Sequence, residues 1–149
     1  MEKKQQNAAK TVDILLVEDN LGDAALMRET MKLSSFPIRL NVAHNGEEAM
    51  KFLLREEPFS DSPRPSLILL DLTLPKKDGR EVLKEIKSNA DLRSIPVLIL
   101  TASRADADIR TSYEFEANFY LVKPMNLEQF SEMMKYLEEY WLKNIAAGF

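Results

Sequence analysis

The stretch LILLDLTLPKKDG, residues 67–79, decides the fold. Its first four residues are apolar without a break, which fits a strand buried on both faces of a parallel sheet better than one half exposed to solvent. The fifth is Asp71, and a Pro-Lys-Lys-Asp-Gly turn follows at 75–79. A carboxylate at the end of a buried strand either caps the next helix or stands at the sheet edge to do chemistry. On its own the residue fits both roles, so the rest of the chain must choose.

Outward from this stretch, short apolar runs alternate with longer amphipathic ones. The runs are Val12–Val17, Ile38–Ala43, Leu67–Leu70, Ile95–Leu100 and Phe119–Val122. The segments between them read as helices at about 22–34, 46–56, 80–89, 104–114 and 127–143. Five strands alternating with five helices predict an α/β domain with a parallel sheet covered on both faces. One connection is irregular: REEPFSDSPRPS, residues 55–66, carries three prolines that exclude helix and central strand alike.

The composition agrees with a single core. The 149 residues are 45% hydrophobic and 30% charged, and a chain of this size needs no metal or disulfide to hold it together. Cysteine is absent. The opening MEKKQQNAAK has basic residues but no apolar segment behind them, and every apolar run is of strand length, so a cytoplasmic protein with no membrane span is expected. The net charge of −4, with no basic patch interleaved with aromatics, disfavours nucleic-acid binding. Residues 1–10 are expected to form a polar, disordered tail.

In an open parallel sheet, ligands sit beyond the carboxyl ends of the strands. The residues just after each predicted strand are Glu18, Asp19 and Asn20 after the first, Asp71 after the third, Thr101 and Ala102 after the fourth, and Lys123 and Pro124 after the fifth. An acid pair, a single acid, a hydroxyl and an ammonium therefore converge on one edge. Crowded carboxylates repel one another unless a cation is shared, and Mg²⁺ takes one or two carboxylates, waters and a phosphate oxygen. Asp19, Asp71 and a backbone carbonyl near Thr73 are the expected ligands. Asp71 would then be a nucleophile for phosphoryl transfer, with Lys123 and the Thr101 hydroxyl neutralising the equatorial oxygens.

The segments ILLVEDN, LLDLTLPKKDG, VLILTAS and YLVKP resemble the receiver domain of two-component response regulators, over about residues 11–142, with residues 143–149 left as a C-terminal extension. Thirty positions separate Asp71 from Thr101 and twenty-two separate Thr101 from Lys123, the usual receiver intervals. The resemblance implies a flavodoxin-like (βα)5 fold with strand order 2-1-3-4-5. It makes Asp71 the phosphoacceptor, Glu18 and Asp19 the metal acids for Mg²⁺ or Mn²⁺, with Asp71 and the Thr73 carbonyl completing the set. Thr101 becomes the switch hydroxyl, Lys123 the phosphate contact and Tyr120 the aromatic switch. It also makes Lys123-Pro124 a candidate for a cis bond. LLVEDNLGDAALMRETM, DLTLPKKDGREVL and the long loop before the third strand look most like the stand-alone regulators paired with cyanobacterial phytochrome histidine kinases. Thr73 stands where that group often has Asn, which bears on access of the hydrolytic water.

The implied partner is a sensor histidine kinase of phytochrome type, with output through the surface of the fourth helix, fifth strand and fifth helix (α4-β5-α5) and no DNA-binding module. On the last predicted helix, Leu127, Phe130, Met134, Leu137 and Trp141 make an apolar stripe, while Met133, Tyr136 and Tyr140 form a second flank. Met and aromatic residues favour interfaces, so a homodimer through this face is expected. His44 reads as a solvated turn residue. Two other functions compete. A haloacid-dehalogenase-type phosphatase would need a second acid two positions after the nucleophile, where Thr73 stands, and a phosphorylation-independent adaptor would have no use for the acid cluster.

Overall fold

The computed structural model describes residues 11–33, 37–72, 74, 76–101, 119–122, 128, 131, 135 and 139. The elements follow the order β1 (Val12–Val17), α1 (Leu21–Met31), β2 (Ile38–Ala43), α2 (Gly46–Leu54), β3 (Leu67–Asp71), α3 (Gly79–Ser88), β4 (Val97–Thr101) and β5 (Phe119–Val122). The strands form one parallel sheet of order β2-β1-β3-β4-β5, the order that the resemblance implies. Residues 104–114 lie outside the described part. Within the predicted last helix, residues 128, 131, 135 and 139 are helical. Glu128, Lys135 and Glu139 are exposed and Ser131 half-buried, a 3-4-4 spacing that marks a polar face.

The alternation of side chains along each strand divides the core in two. On one face Ile14 and Leu16 of β1, Leu67 and Leu69 of β3, and Leu98 and Leu100 of β4 pack with Ala24, Met27 and Met31 of α1. On the other, Leu15, Val17, Ile68, Leu70, Val97 and Ile99 pack with Ala49, Met50, Phe52 and Leu53 of α2 and with Val82, Leu83 and Ile86 of α3. All five residues of β3 are buried, which is why its sequence shows no alternation. Each of its leucines contributes on the order of 1.5–3 kcal/mol by leaving water.

Local chemistry moves the element ends by a few residues from the sequence expectation. β4 starts at Val97 rather than Ile95, because the Ile95 amide donates to the Leu92 carbonyl at 2.9 Å in a turn and Pro96 has no amide to give to a ladder. α2 ends at Leu54, two residues early, where Arg55 turns left-handed at φ 55° and its amide donates back to the last turn. α1 spans 21–31 instead of 22–34, starting after its cap Asn20 and closing as the Leu33 amide donates to the Thr30 carbonyl at 3.0 Å. Residues 55–66 form the expected loop, tied down by the Ser62 hydroxyl donating to the Phe52 carbonyl at 2.7 Å. The Glu57-Pro58 bond in this loop is cis, whereas Lys123-Pro124 lies outside the described residues.

Candidate functional site

Strand register brings the acids together. Val17 of β1 lies beside Leu70 of β3, so one further residue along each strand sets Glu18 beside Asp71. The alternation that faces Ile14, Leu16, Leu67 and Leu69 toward α1 continues to Glu18 and Asp71, putting both acids on the α1 side of the sheet edge. The Glu18 amide donates to the Ala43 carbonyl at 2.9 Å, extending the β1–β2 ladder one step and fixing where the acid pair begins.

Asp71 is not a helix cap. It ends β3 as a paired residue, in register with Leu100 of β4, and the cap of α3 is Asp78, whose Oδ1 accepts from the Arg80 amide at 2.7 Å. At β1 the same division holds. Asn20 caps α1, its Oδ1 accepting from the Asp23 amide at 2.9 Å, and its own amide donates to Glu18 Oε2 at 3.2 Å. The helix starts are therefore capped by other residues, which leaves the strand-end acids to something else.

The three carboxylates form one cluster. One oxygen each from Glu18, Asp19 and Asp71 lie within 4.8 Å of one another. Glu18 is 1% and Asp71 5% exposed, while Asp19 faces solvent. Two like charges at such a spacing repel by roughly 3 kcal/mol at an effective dielectric constant of about 20. The donor set consists of hard oxygens, two walled in and one reachable from water, which suits a hard divalent cation that keeps part of its hydration. The residues present fit a Mg²⁺ or Mn²⁺ ion.

The other expected site residues are placed in part. Thr101 is the last residue of β4, one step beyond the Leu100 that pairs with Asp71, and its backbone pairs with Val122 of β5. Tyr120 lies on β5 in register with Ile99. Thr73 and Lys123 lie outside the described residues.

Sequence reading missed two glycines. A β-carbon at Gly79 would fall 2.3 Å from the Asp71 carbonyl oxygen and 2.5 Å from Leu72 Cα. One at Gly46 would fall 2.1 Å from the Lys77 carbonyl oxygen and 2.6 Å from Lys77 Cβ. Neither has a positive φ, so each is required for close approach and not for a turn. The available signal was the recurrence of Asn-Gly at 45–46 and Asp-Gly at 78–79, a cap followed at once by glycine at the start of a helix.

Comparison with known proteins shows which family the chain is similar to. Residues 14–135 match the response regulator receiver domain family. The response regulator Rcp1 of Synechocystis sp. is 48% identical over 132 residues, covering 89% of this chain and 90% of that protein. The structure of the Mn²⁺-bound form of Rcp1 superposes with a TM-score of 0.80 at 47% identity, over 90% of this chain and 96% of that one. The phosphorylated cyanobacterial phytochrome response regulator RcpA superposes with a TM-score of 0.81 at 45% identity, over 89% and 94% of the two chains.

Proposed function

Because this chain belongs to the response regulator receiver domain family, we propose that it accepts a phosphoryl group on Asp71 from a sensor histidine kinase of phytochrome type and signals through the state of that residue. The observation that carries this reading is the convergence of Glu18, Asp19 and Asp71 at the carboxyl ends of adjacent strands, with no helix cap to account for any of them. The choice of kinase rests on the likeness to Rcp1 and to the cyanobacterial phytochrome response regulator RcpA.

Glu18, Asp19, Asp71 and the Thr73 carbonyl would hold Mg²⁺ or Mn²⁺, and that ion supplies positive charge to the oxygens of the incoming group. Asp71 ends a fully buried strand, a placement that would hold its carboxylate in position for in-line attack. A new P–O bond forms on Asp71 as the P–N bond of the donor phosphohistidine breaks, and the imidazole leaves with the bonding pair. Thr101 and Lys123, at and just after the ends of β4 and β5, would contact the phosphoryl oxygens. The only reactions catalysed are then the chain's own phosphorylation and dephosphorylation.

Output is assigned to the α4-β5-α5 surface, with Thr101 drawn toward the phosphoryl group and Tyr120 turning inward. Homodimerisation through this face and the last helix is supported by the apolar stripe and its Met133, Tyr136 and Tyr140 flank, opposite the exposed Glu128, Lys135 and Glu139. We place the protein in the cytoplasm. Among the described residues no helix is long and apolar enough to cross a membrane.

The test is a phosphotransfer panel of purified histidine kinases, phytochrome-type ones included, with Mg²⁺ and with chelator. Label should move to the wild-type chain only with the cation, fastest from a phytochrome-type kinase, and never to an Asp71→Asn variant. Label retained by that variant would refute the acceptor assignment, and equal rates from all kinases would refute the phytochrome assignment.

A further inference from the structure

The acceptor strand leads into a loop that is gripped from two sides. Gly79, the first residue of α3, sits against the backbone of Asp71 and Leu72, and its amide donates to the Leu72 carbonyl at 3.0 Å. Further along the loop, Gly46, the first residue of α2, sits against the backbone of Lys77 with no room for a methyl group. Leu74 packs on the core shared by α2 and α3, and the Lys77 ammonium pairs with Glu85 of α3. Lys77 thus touches α2 through its main chain and α3 through its side chain. The atoms that meet both glycines are mainly backbone, which cannot rotate away as a flexible side chain can.

We propose that Gly46 is a positioning residue for the cation and phosphoryl site, acting through Lys77 on the loop that follows Asp71, so that the start of α2 and the acceptor site move as one mechanical unit. The inference rests on the reading of Glu18, Asp19 and Asp71 as that site. The three atoms nearest a β-carbon at Gly46 all belong to Lys77 and none to the three acids. Its place in the chain, after β2 and the Asn45 cap, would otherwise make it an ordinary helix start. Lys77 stands two residues before Gly79, which packs on the backbone of Asp71 and Leu72, so a displacement of Lys77 is passed to the end of β3 through Gly79. Displacements on this scale at metal ligands and at nucleophiles are felt strongly.

Two variants and one control test it. Gly46→Ala adds a methyl group against Lys77. Asn45→Ala adds nothing but removes the α2 cap, in which Asn45 Oδ1 accepts from the Glu48 amide at 2.8 Å. Asn89→Ala removes a matching turn bond at the far end of α3, where Asn89 Oδ1 accepts from the Asp91 and Leu92 amides at 2.8 and 3.2 Å. Mn²⁺ binding by calorimetry and labelling by acetyl phosphate are compared with the denaturation midpoint of each full-length protein. Gly46→Ala is expected to weaken Mn²⁺ binding by about tenfold, and Asn45→Ala by a smaller factor. Asn89→Ala should lower the midpoint comparably to Asn45→Ala while leaving Mn²⁺ affinity at the wild-type value. If Gly46→Ala does not fold, Asn45→Ala against Asn89→Ala decides. Wild-type Mn²⁺ affinity and labelling rate in the folded α2 variants, or equal losses in Asn89→Ala, would overturn the inference. Failure of the wild-type chain itself to bind Mn²⁺ would refute instead the reading of the acid cluster on which it rests.

Discussion

Gly79 lies against the backbone of Asp71, so close that a β-carbon at residue 79 would stand 2.3 Å from the Asp71 carbonyl oxygen. The first turn of α3 and the end of β3 are therefore in contact at Asp71, and the glycine that permits this is the last letter of the stretch LILLDLTLPKKDG. In an exposed helix, Gly→Ala stabilises by about 1 kcal/mol. Here the added methyl would collide with main chain, and Gly79→Ala should destabilise by about 1–3 kcal/mol, the usual effect of overpacking. Urea denaturation gives the sign directly: an unchanged or higher midpoint would contradict the close contact.

Cation binding should stabilise the fold. At a Mg²⁺ or Mn²⁺ concentration about 100 times the dissociation constant, linkage predicts about 2.7 kcal/mol, or roughly 5–10 °C in melting temperature for a chain of this size, reversed by chelator. A melting temperature indifferent to millimolar Mn²⁺ would show that the three acids are not a cation site.

Removing one charge from the cluster should relieve the metal-free protein. Asp71→Asn is expected to raise its stability by on the order of 1–3 kcal/mol in chelator and low salt, because one of three crowded carboxylates is neutralised. The gain should shrink as salt screens the exposed Asp19, and the stabilisation by Mn²⁺ should be largely lost. A variant less stable than wild type under metal-free conditions would count against the repulsion.

Lys76 and Lys77 should respond oppositely to glycine. Lys76 is held at φ 63°, a left-handed conformation costing an L-residue about 1–2 kcal/mol that glycine adopts freely, offset by about 0.5–1 kcal/mol of glycine chain entropy. Lys76→Gly should be neutral to mildly stabilising. Lys77→Gly should destabilise, since it deletes the ion pair to Glu85 and the side chain packed beside Gly46. Chemical denaturation of the two variants checks the contrast, which an equal loss in both would erase.

The sheet was legible in the sequence for a physical reason. Strands covered on both faces must be apolar at every position, so VDILLV, LILLD and VLILT stand out without help from periodicity. The acids were legible because they end the runs of β1 and β3, strands that lie side by side in the sheet. Element ends were less so, since Asn20, Arg55 and Asp78 set them through caps and single backbone angles that no apolar pattern encodes. Gly79 was read as a turn residue and Gly46 as the start of a helix, because close approach between two elements is a property of their packing and leaves no periodic trace. Asp71 itself lies inside its strand rather than after it, since Leu100 on β4 extends far enough to pair with it.

The parallel order β2-β1-β3-β4-β5 makes the acid cluster a product of long-range strand pairing. Glu18 and Asp71 become neighbours only once β1 and β3, separated in sequence by two helices and a strand, have zipped together along their full length. A nascent or partly collapsed polypeptide has the acids but not their proximity, and is chemically mute. The proximity of the two acids therefore depends on the pairing of β1 with β3.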